Sequence, residues 1–316
     1  MGERLLIAQI TDLHIDDRSP RVNPLKGDTR ERLARVVAYL NAFEPRPDLV
    51  LTTGDLTDFG TAAEYAALRS ILDRLDMPNF ILPGNHDRRD ALREAFSDHG
   101  YLPRDGFLHY VIDNYPVRLI GLDTLVPGQE GGALCSDRLA WLEDRLCEDE
   151  VKPTLIFMHH PPYQTGMPQL DDVNCRGGDR MAEIVAGHHN VAGIVCGHLH
   201  RATSVRFDGT VAVSVPAVAP ELALILGTRA RPNYVPSPPQ FGLHLLSATG
   251  LVTHIVAVPD HPKKAGVFWR IRVVDGKCLR PLEKILTQLR MHKCANWTIM
   301  PPLGKGPADI IGCGPP

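Results

Sequence analysis

Residues 5–14 read LLIAQITDLH, a mostly apolar, strand-prone run that stops at a carboxylate and an imidazole, Asp12 and His14. The same order recurs in LVLTTGD at 49–55, FILPGNHD at 80–87, TLIFMHHPP at 154–162 and VAGIVCGHLH at 191–200. Each run suits a short strand buried on both faces, and each ends in Asp, Asn or His. In open α/β sheets the carboxyl ends of the strands line one rim, so side chains far apart in sequence meet there.

Working outward, strand candidates at 5–11, 49–53, 79–82, 117–123, 154–158 and 191–196 alternate with stretches of helical periodicity, the pattern of a layered α/β domain. Asp28 with Glu31 and Thr61 with Glu64 have the spacing of capping boxes. The helices they open carry Leu33, Val36, Val37 and Leu40, then Tyr65, Leu68, Leu72 and Leu75, on one face. Past His200 two hairpins are expected, 202–207 with 211–215 around Asp208-Gly209, and 242–248 with 251–258 around Thr249-Gly250. The Pro-rich stretch 216–239 between them reads as loop rather than core. The expected division is one domain over 1–258, with a cap or oligomerisation segment at about 216–241, and an extension over 259–316. That extension offers one amphipathic helix, 282–291, and a Gly/Pro-rich irregular end.

The 316 residues are 44% hydrophobic, enough for a sizeable core. A net charge of -3 disfavours a surface built to neutralise a phosphate backbone, so nucleic acid is not an expected partner. No apolar run nears the roughly 20 residues that cross a bilayer, and the first run meets Asp12 too early for a secretion signal. The expectation is a soluble cytoplasmic protein with no membrane partner. Seven dispersed cysteines without CxxC spacing read as free, mostly buried thiols rather than a disulfide framework or a zinc-thiolate site.

The residue types at the strand ends narrow the chemistry. Imidazole, carboxylate and carboxamide donors without thiolates suit borderline divalent ions such as Mn, Fe, Co or Zn. Asp12, His14, Asp55, Asn85, His159, His198 and His200 make seven candidate donors, more than one tetrahedral ion accepts. Two ions, with Asp55 between them, fit the count better.

In this order the five motifs resemble the signature of the calcineurin-like metallophosphoesterases: DxH, GD, GNH[DE], a later His, and GHxH. The finer pattern, with GNHD, HHPP and Asn174-Cys175-Arg176-Gly177-Gly178 ahead of GHLH, is similar to the class III cyclic nucleotide phosphodiesterases and bacterial glycerophosphodiesterases, over about residues 5–258. The resemblance implies an αββα fold, a β-sandwich core flanked by helices. It implies that Asp12, His14, Asp55 and His200 hold one divalent metal and Asp55, Asn85, His159 and His198 the other. It further implies in-line attack on a small phosphodiester by a hydroxide lying between the ions, with His86 as proton donor or phosphate clamp. Related enzymes often dimerise through their C-terminal portion, and the apolar residues Leu222, Leu224, Ile225 and Leu226 fit a homodimer or higher homo-oligomer here.

Other residues near the motifs have plainer readings. Asp58 shapes the loop after Asp55; Asp87 orients a neighbouring imidazole or the turn; His160 makes a structural hydrogen bond; His188 and His189 lie on the surface at a helix end. Asp123 either reaches the site or starts the next loop. One departure from the glycerophosphodiesterase pattern concerns substrate: a histidine expected after the first hairpin is replaced by Pro216-Ala217-Val218-Ala219-Pro220. The alternatives to a phosphodiesterase are three. A phosphomonoesterase or protein phosphatase of the GDxVDRG type has an Arg that GDLTDFG at 54–60 lacks. An exonuclease needs a basic, aromatic strand channel. A silent scaffold keeps the fold without turnover.

Overall fold

The computed structural model describes residues 4–16, 28–228, 230, 232–247 and 250–259, together with two short strands beyond them. The chain divides into two compact units, Met1–Lys263 and Lys264–Pro316. In the first unit the elements run β1 (Leu5–Ile10), α1 (Thr29–Asn41), β2 (Leu49–Thr53), α2 (Ala62–Leu72), β3 (Asn79–Leu82), α3 (Arg89–Ala95), β4 (Tyr110–Ile112) and β5 (Arg118–Leu122). They continue with α4 (Ser136–Cys147), β6 (Thr154–Met158), α5 (Pro168–Asp171), α6 (Gly178–Ala186), β7 (Val191–Cys196), β8 (Thr203–Phe207), β9 (Thr210–Ser214), β10 (Glu221–Leu222), β11 (Tyr234–Val235), β12 (Gln240–Ser247) and β13 (Gly250–Ala257). In the second unit β14 (Val273–Val274) pairs antiparallel with β15 (Lys277–Cys278). The expected helix 282–291 lies outside the described residues.

Two sheets form the body, in the orders β13-β12-β1-β2-β3 and β4-β5-β6-β7-β9-β8. Strands β1, β2 and β3 run parallel in one sheet, and β5, β6, β7 and β9 run parallel in the other. Period-two alternation sends successive side chains to opposite faces, so each strand feeds two cores. Ile7, Leu49, Leu51, Leu119, Leu155 and Phe157 pack between the sheets. The alternate residues Ala8, Ile10, Val50 and Ile81 pack under helices that supply Leu33, Val37, Tyr65 and Leu68. On the other side Ile120, Ile156 and Ile194 meet Leu139, Leu142, Met181 and Val185. The result is the four-layer αββα arrangement.

Local signals place the first helices. Asp28 accepts from the N–H groups of Arg30 and Glu31 at the start of α1, and Thr61 with Glu64 forms a full capping box on α2. Both hairpins after His200 form, with registers Phe207↔Thr210 and Ser247↔Gly250 at their turns. Of the four cysteines described as free thiols, Cys175 and Cys196 are buried and Cys135 and Cys147 exposed.

One expectation fails. The start of 216–239 is core rather than loop: Ala217, Val218 and Ala219 are buried, with Val218 in the cluster beneath α1. The reason lies in the backbone, because Val218 N–H donates to Thr11 O at 3.0 Å and Ala219 N–H to Asp12 O at 3.1 Å. Farther along, Leu224 and Leu226 are each 57% exposed.

Candidate metal centre

The loops that follow β1, β2, β3, β6 and β7 meet at one rim, and their backbones are bent hard to do so. Asp12, His14, Asp55, His198 and His200 all have positive φ, between 46° and 69°. Outside these five, the described residues contain one other non-glycine residue of this kind, Asp208 in a hairpin turn. The left-handed region costs an L-residue on the order of 1–2 kcal/mol, and such strain concentrates at functional sites. The first two loops are tied together as Asp12 N–H donates to Gly54 O at 3.0 Å and His14 N–H to Asp55 O at 2.9 Å. Gly84 has no room for a side chain, since a Cβ there would collide with Asp55 Oδ1 and the Asp55 nitrogen.

Hydrogen bonds fix how the imidazoles face. The Nδ1 atom of His14 lies 3.0 Å from Asp58 Oδ1, that of His200 lies 2.9 Å from Pro220 O, and that of His159 lies 2.8 Å from Thr53 O. Each partner is an acceptor, so each Nδ1 carries the proton and each Nε2 presents a lone pair. Those lone pairs converge on other acceptors: His14 Nε2 is 3.1 Å from His200 Nε2, and His159 Nε2 is 3.2 Å from Asn85 Oδ1. Asp55 stands between the two groups, with Oδ1 3.4 Å from His159 Nε2 and Oδ2 3.5 Å from His14 Nε2. Asp12 Oδ1 lies 3.4 Å from His200 Nε2.

Lone pair facing lone pair is repulsive unless a cation sits between them. Two further atoms point the same way: Asp12 Oδ1 and His198 Nε2 are buried with no hydrogen-bond partner, a costly state for polar atoms. Donor atoms of Asp12, His14 and His200 lie within 4.8 Å of one another, as do those of Asp12, Asp55 and His159. Electrostatics agree. Burial alone would depress His159, but the Asp55 carboxylate overrides it and raises the imidazole; that is a pull on positive charge which a cation at Nε2 would answer in place of a second ring proton. Burial and the neighbouring His159 push His198 down to about 3, leaving it a neutral donor. The donor set therefore fits two divalent cations.

The supporting residues are well resolved by their contacts. Asp58 braces His14 and stands 3.7 Å from His86 Nδ1, which also meets Asp58 O at 2.9 Å. His86, 39% exposed at its side chain, sits at the edge of the cage with its ring 4.7 Å from that of His14. Asp87 accepts from the N–H groups of Leu56 and Gly84 and from Tyr65 OH, joining the second and third motifs. His160 is close to His159 and His198, but its nitrogens meet Thr124 Oγ1 at 2.8 Å and Glu130 O at 3.1 Å. Asp123 is fully buried and is gripped by Arg89 at 2.5 and 2.8 Å, so it organises the loop after β5. His188 and His189 follow the end of α6, one half-buried and one exposed.

The sequence pointed to none of three further residues. Gln9, buried on β1, donates to Thr53 Oγ1 and Cys196 O and meets His244 Nε2, which ties the two sheets together just below the cage. Arg89 is the second. Tyr234 on β11 places its ring 5.9 Å from that of His200. The Pro216–Pro220 departure also acquires an explanation: this stretch supports the site through backbone N–H and C=O groups, which no particular side chain has to supply.

An αββα body with an Asp/Asn/His cage for two cations at one rim describes a metal-dependent hydrolase centre. The chain belongs to the calcineurin-like phosphoesterase family, whose model matches residues 5–202; that family uses a binuclear divalent metal centre. A probable glycerophosphodiester phosphodiesterase of Arcobacter nitrofigilis is 32% identical over 252 residues, spanning 79% of this chain and 92% of the relative. A probable cyclic nucleotide phosphodiesterase of Synechococcus sp. is 36% identical over 219 residues, spanning 68% and 81%. Among solved structures, a dimetal phosphatase from Danio rerio shares the fold with a TM-score of 0.56 at 14% identity, covering 81% of this chain and 99% of that one. No helix among the described residues is long and apolar enough to cross a membrane.

Proposed function

We propose that residues 1–258 form a binuclear metal-dependent phosphodiesterase that hydrolyses small phosphodiesters, cyclic nucleotides or glycerophosphodiesters, and tolerates monoesters and phosphonates. The observation that carries this reading is the Asp55 carboxylate, whose two oxygens face two different donor groups. On this reading Asp12, His14, Asp55 and His200 hold one ion, and Asp55, Asn85, His159 and His198 the other. Nitrogen and oxygen donors without thiolate favour Mn, Fe, Co or Zn. Bound there, two cations supply Lewis acidity toward the phosphoryl oxygens and lower the pKa of water.

The chain's own groups do the rest. Asp58 fixes the His14 ring, Thr53 O fixes His159 and Pro220 O fixes His200, so the cage is set before substrate arrives. His86 faces the adjoining cleft from the edge of the cage. Burial depresses its imidazole while Asp55 and Asp58 pull the other way and raise it above the ordinary value; from the edge of the cage it stands where a proton donor to a departing alkoxide is needed.

Self-association through the segment bearing Leu224 and Leu226, and a cytoplasmic setting, complete the proposal. Sedimentation as one species near 34.8 kDa would reject self-association. The activity is tested by following bis(p-nitrophenyl) phosphate, cyclic AMP, glycerophosphocholine, a phosphomonoester and a phosphonate ester with and without added Mn. Metal-dependent diester hydrolysis is expected. Two bound metals without hydrolysis of any of them would favour a silent scaffold instead.

A further inference from the structure

Beside the cage lies a cleft of ≈ 770 Å³ that starts at Asn85 and His86 and passes Arg88, Arg89 and Arg93. Two of these three arginines are already engaged. Arg89 donates to both oxygens of Asp123 and to Leu125 O. Arg93 donates to Asp90 Oδ1, Pro103 O and Gly106 O. The exposed guanidinium of Arg88 makes no hydrogen bond or ion pair with any other described residue; its backbone is what is held, the N–H by Tyr65 OH at 3.2 Å and the C=O by Leu92 N–H at 2.9 Å.

Arg88 is nonetheless seated. A Cβ at Gly60 would lie 2.6 Å from Arg88 Cγ and 3.1 Å from Cδ, so the bare glycine at φ +68° is the trough in which the arginine stem rests. The cleft's acids are committed elsewhere: Asp58 to His14, Asp87 to the turns, Asp90 to Arg93. Glu130 has a partner of its own as well. Arg88 lies three positions after Asn85, which keeps their Cα atoms within about 11 Å. The cleft therefore presents one uncompensated guanidinium a short arm's length from the cage, and a guanidinium matches phosphate and carboxylate oxygens by shape as well as charge.

We infer that Arg88 selects phosphodiesters carrying a second anionic group, a terminal phosphate or carboxylate, on the arm that lies in this cleft. The inference rests on the phosphodiesterase reading and names a substrate class for it. The contact forms on binding and persists through the reaction, so it acts mainly on KM. A charge-assisted hydrogen bond of this type is worth roughly 10- to 100-fold.

The test compares glycerophosphoglycerol with the same diester bearing a terminal phosphate, following loss of the diester phosphorus resonance for the Mn-loaded full chain and for Arg88→Ala and Arg88→Glu. Wild type should favour the phosphorylated diester in kcat/KM by about tenfold or more. The Arg88→Ala ratio should fall to about one, the Arg88→Glu ratio should fall below one, and raised salt should shrink the wild-type preference. If wild type cleaves the two diesters without preference, or the preference survives both substitutions, Arg88 is not the selector while the phosphodiesterase reading stands. If wild type cleaves neither diester, the substrate class is overturned, and the phosphodiesterase reading falls with it only if bis(p-nitrophenyl) phosphate and cyclic AMP are also left intact.

Discussion

The Nε2 atoms of His14 and His200 lie 3.1 Å apart although each ring has its Nδ1 against an acceptor, Asp58 Oδ1 and Pro220 O. Two neutral imidazoles so oriented repel; with a cation between them they become ligands. The first prediction follows from the brace on His14. Replacing Asp58 by Ala frees the ring to turn and should weaken metal binding by roughly 10- to 100-fold. Calorimetric titration with Mn on wild type and variant checks this, and equal affinities would deprive Asp58 of its orienting role.

Gly84→Ala tests the packing of the bridge. The new methyl group would run into Asp55 Oδ1 and the Asp55 backbone nitrogen, so it should displace the carboxylate and abolish binding of the second metal, at a stability cost of about 1–3 kcal/mol. Gly100→Ala is the control, because nothing lies within 4 Å of its would-be Cβ. Metal content and thermal unfolding of the pair decide the matter; two metals in Gly84→Ala would refute the geometry.

His86→Ala should lower turnover of a poor-leaving-group diester by roughly 10²- to 10⁴-fold while metal content stays intact. The backbone N–H of residue 86, which donates to Asp55 Oδ1 at 3.0 Å, survives the substitution. Undiminished turnover would remove the imidazole from the reaction.

Stability should fall in acid for a reason outside the cage. Burial holds His109 down at about 4, and its Nδ1 accepts from Asp123 N–H at 3.0 Å. The unfolded chain binds a proton near the ordinary pKa of about 6.5 that the folded chain refuses, so the folded state gains from this group above that pH. The gain is lost as pH falls from about 6.5 through 4, on the order of 3 kcal/mol in all. Denaturant melts across this window should show the slope, and His109→Gln should flatten it; an identical slope in the variant would contradict the assignment.

The features that were legible in the sequence share a cause. Strand ends, hairpin turns and the Thr61–Glu64 cap are local, so apolar runs broken by Asp, Gly and His reveal them. Convergence of Asp12, Asp55, Asn85, His159 and His198 could be inferred because carboxyl ends of parallel strands share a rim. What stayed hidden depends on long-range pairing or on backbone groups. Strand β12 lies beside β1 through Leu5↔Leu246, a pairing no local signal encodes. The burial of Val218 follows from hydrogen bonds to Thr11, and Asp123 is explained only once Arg89 is seen on it. Tyr234 sits in an irregular stretch whose periodicity carries no information.

Anomalous diffraction from crystals of the full chain grown with Mn tests the central claim most directly. The account predicts two peaks roughly 3.5–4 Å apart, one touched by Asp55 Oδ1 with Asn85 and His159, the other by Asp55 Oδ2 with His14 and His200. A single peak, or two peaks too far apart for one carboxylate to reach both, would contradict it.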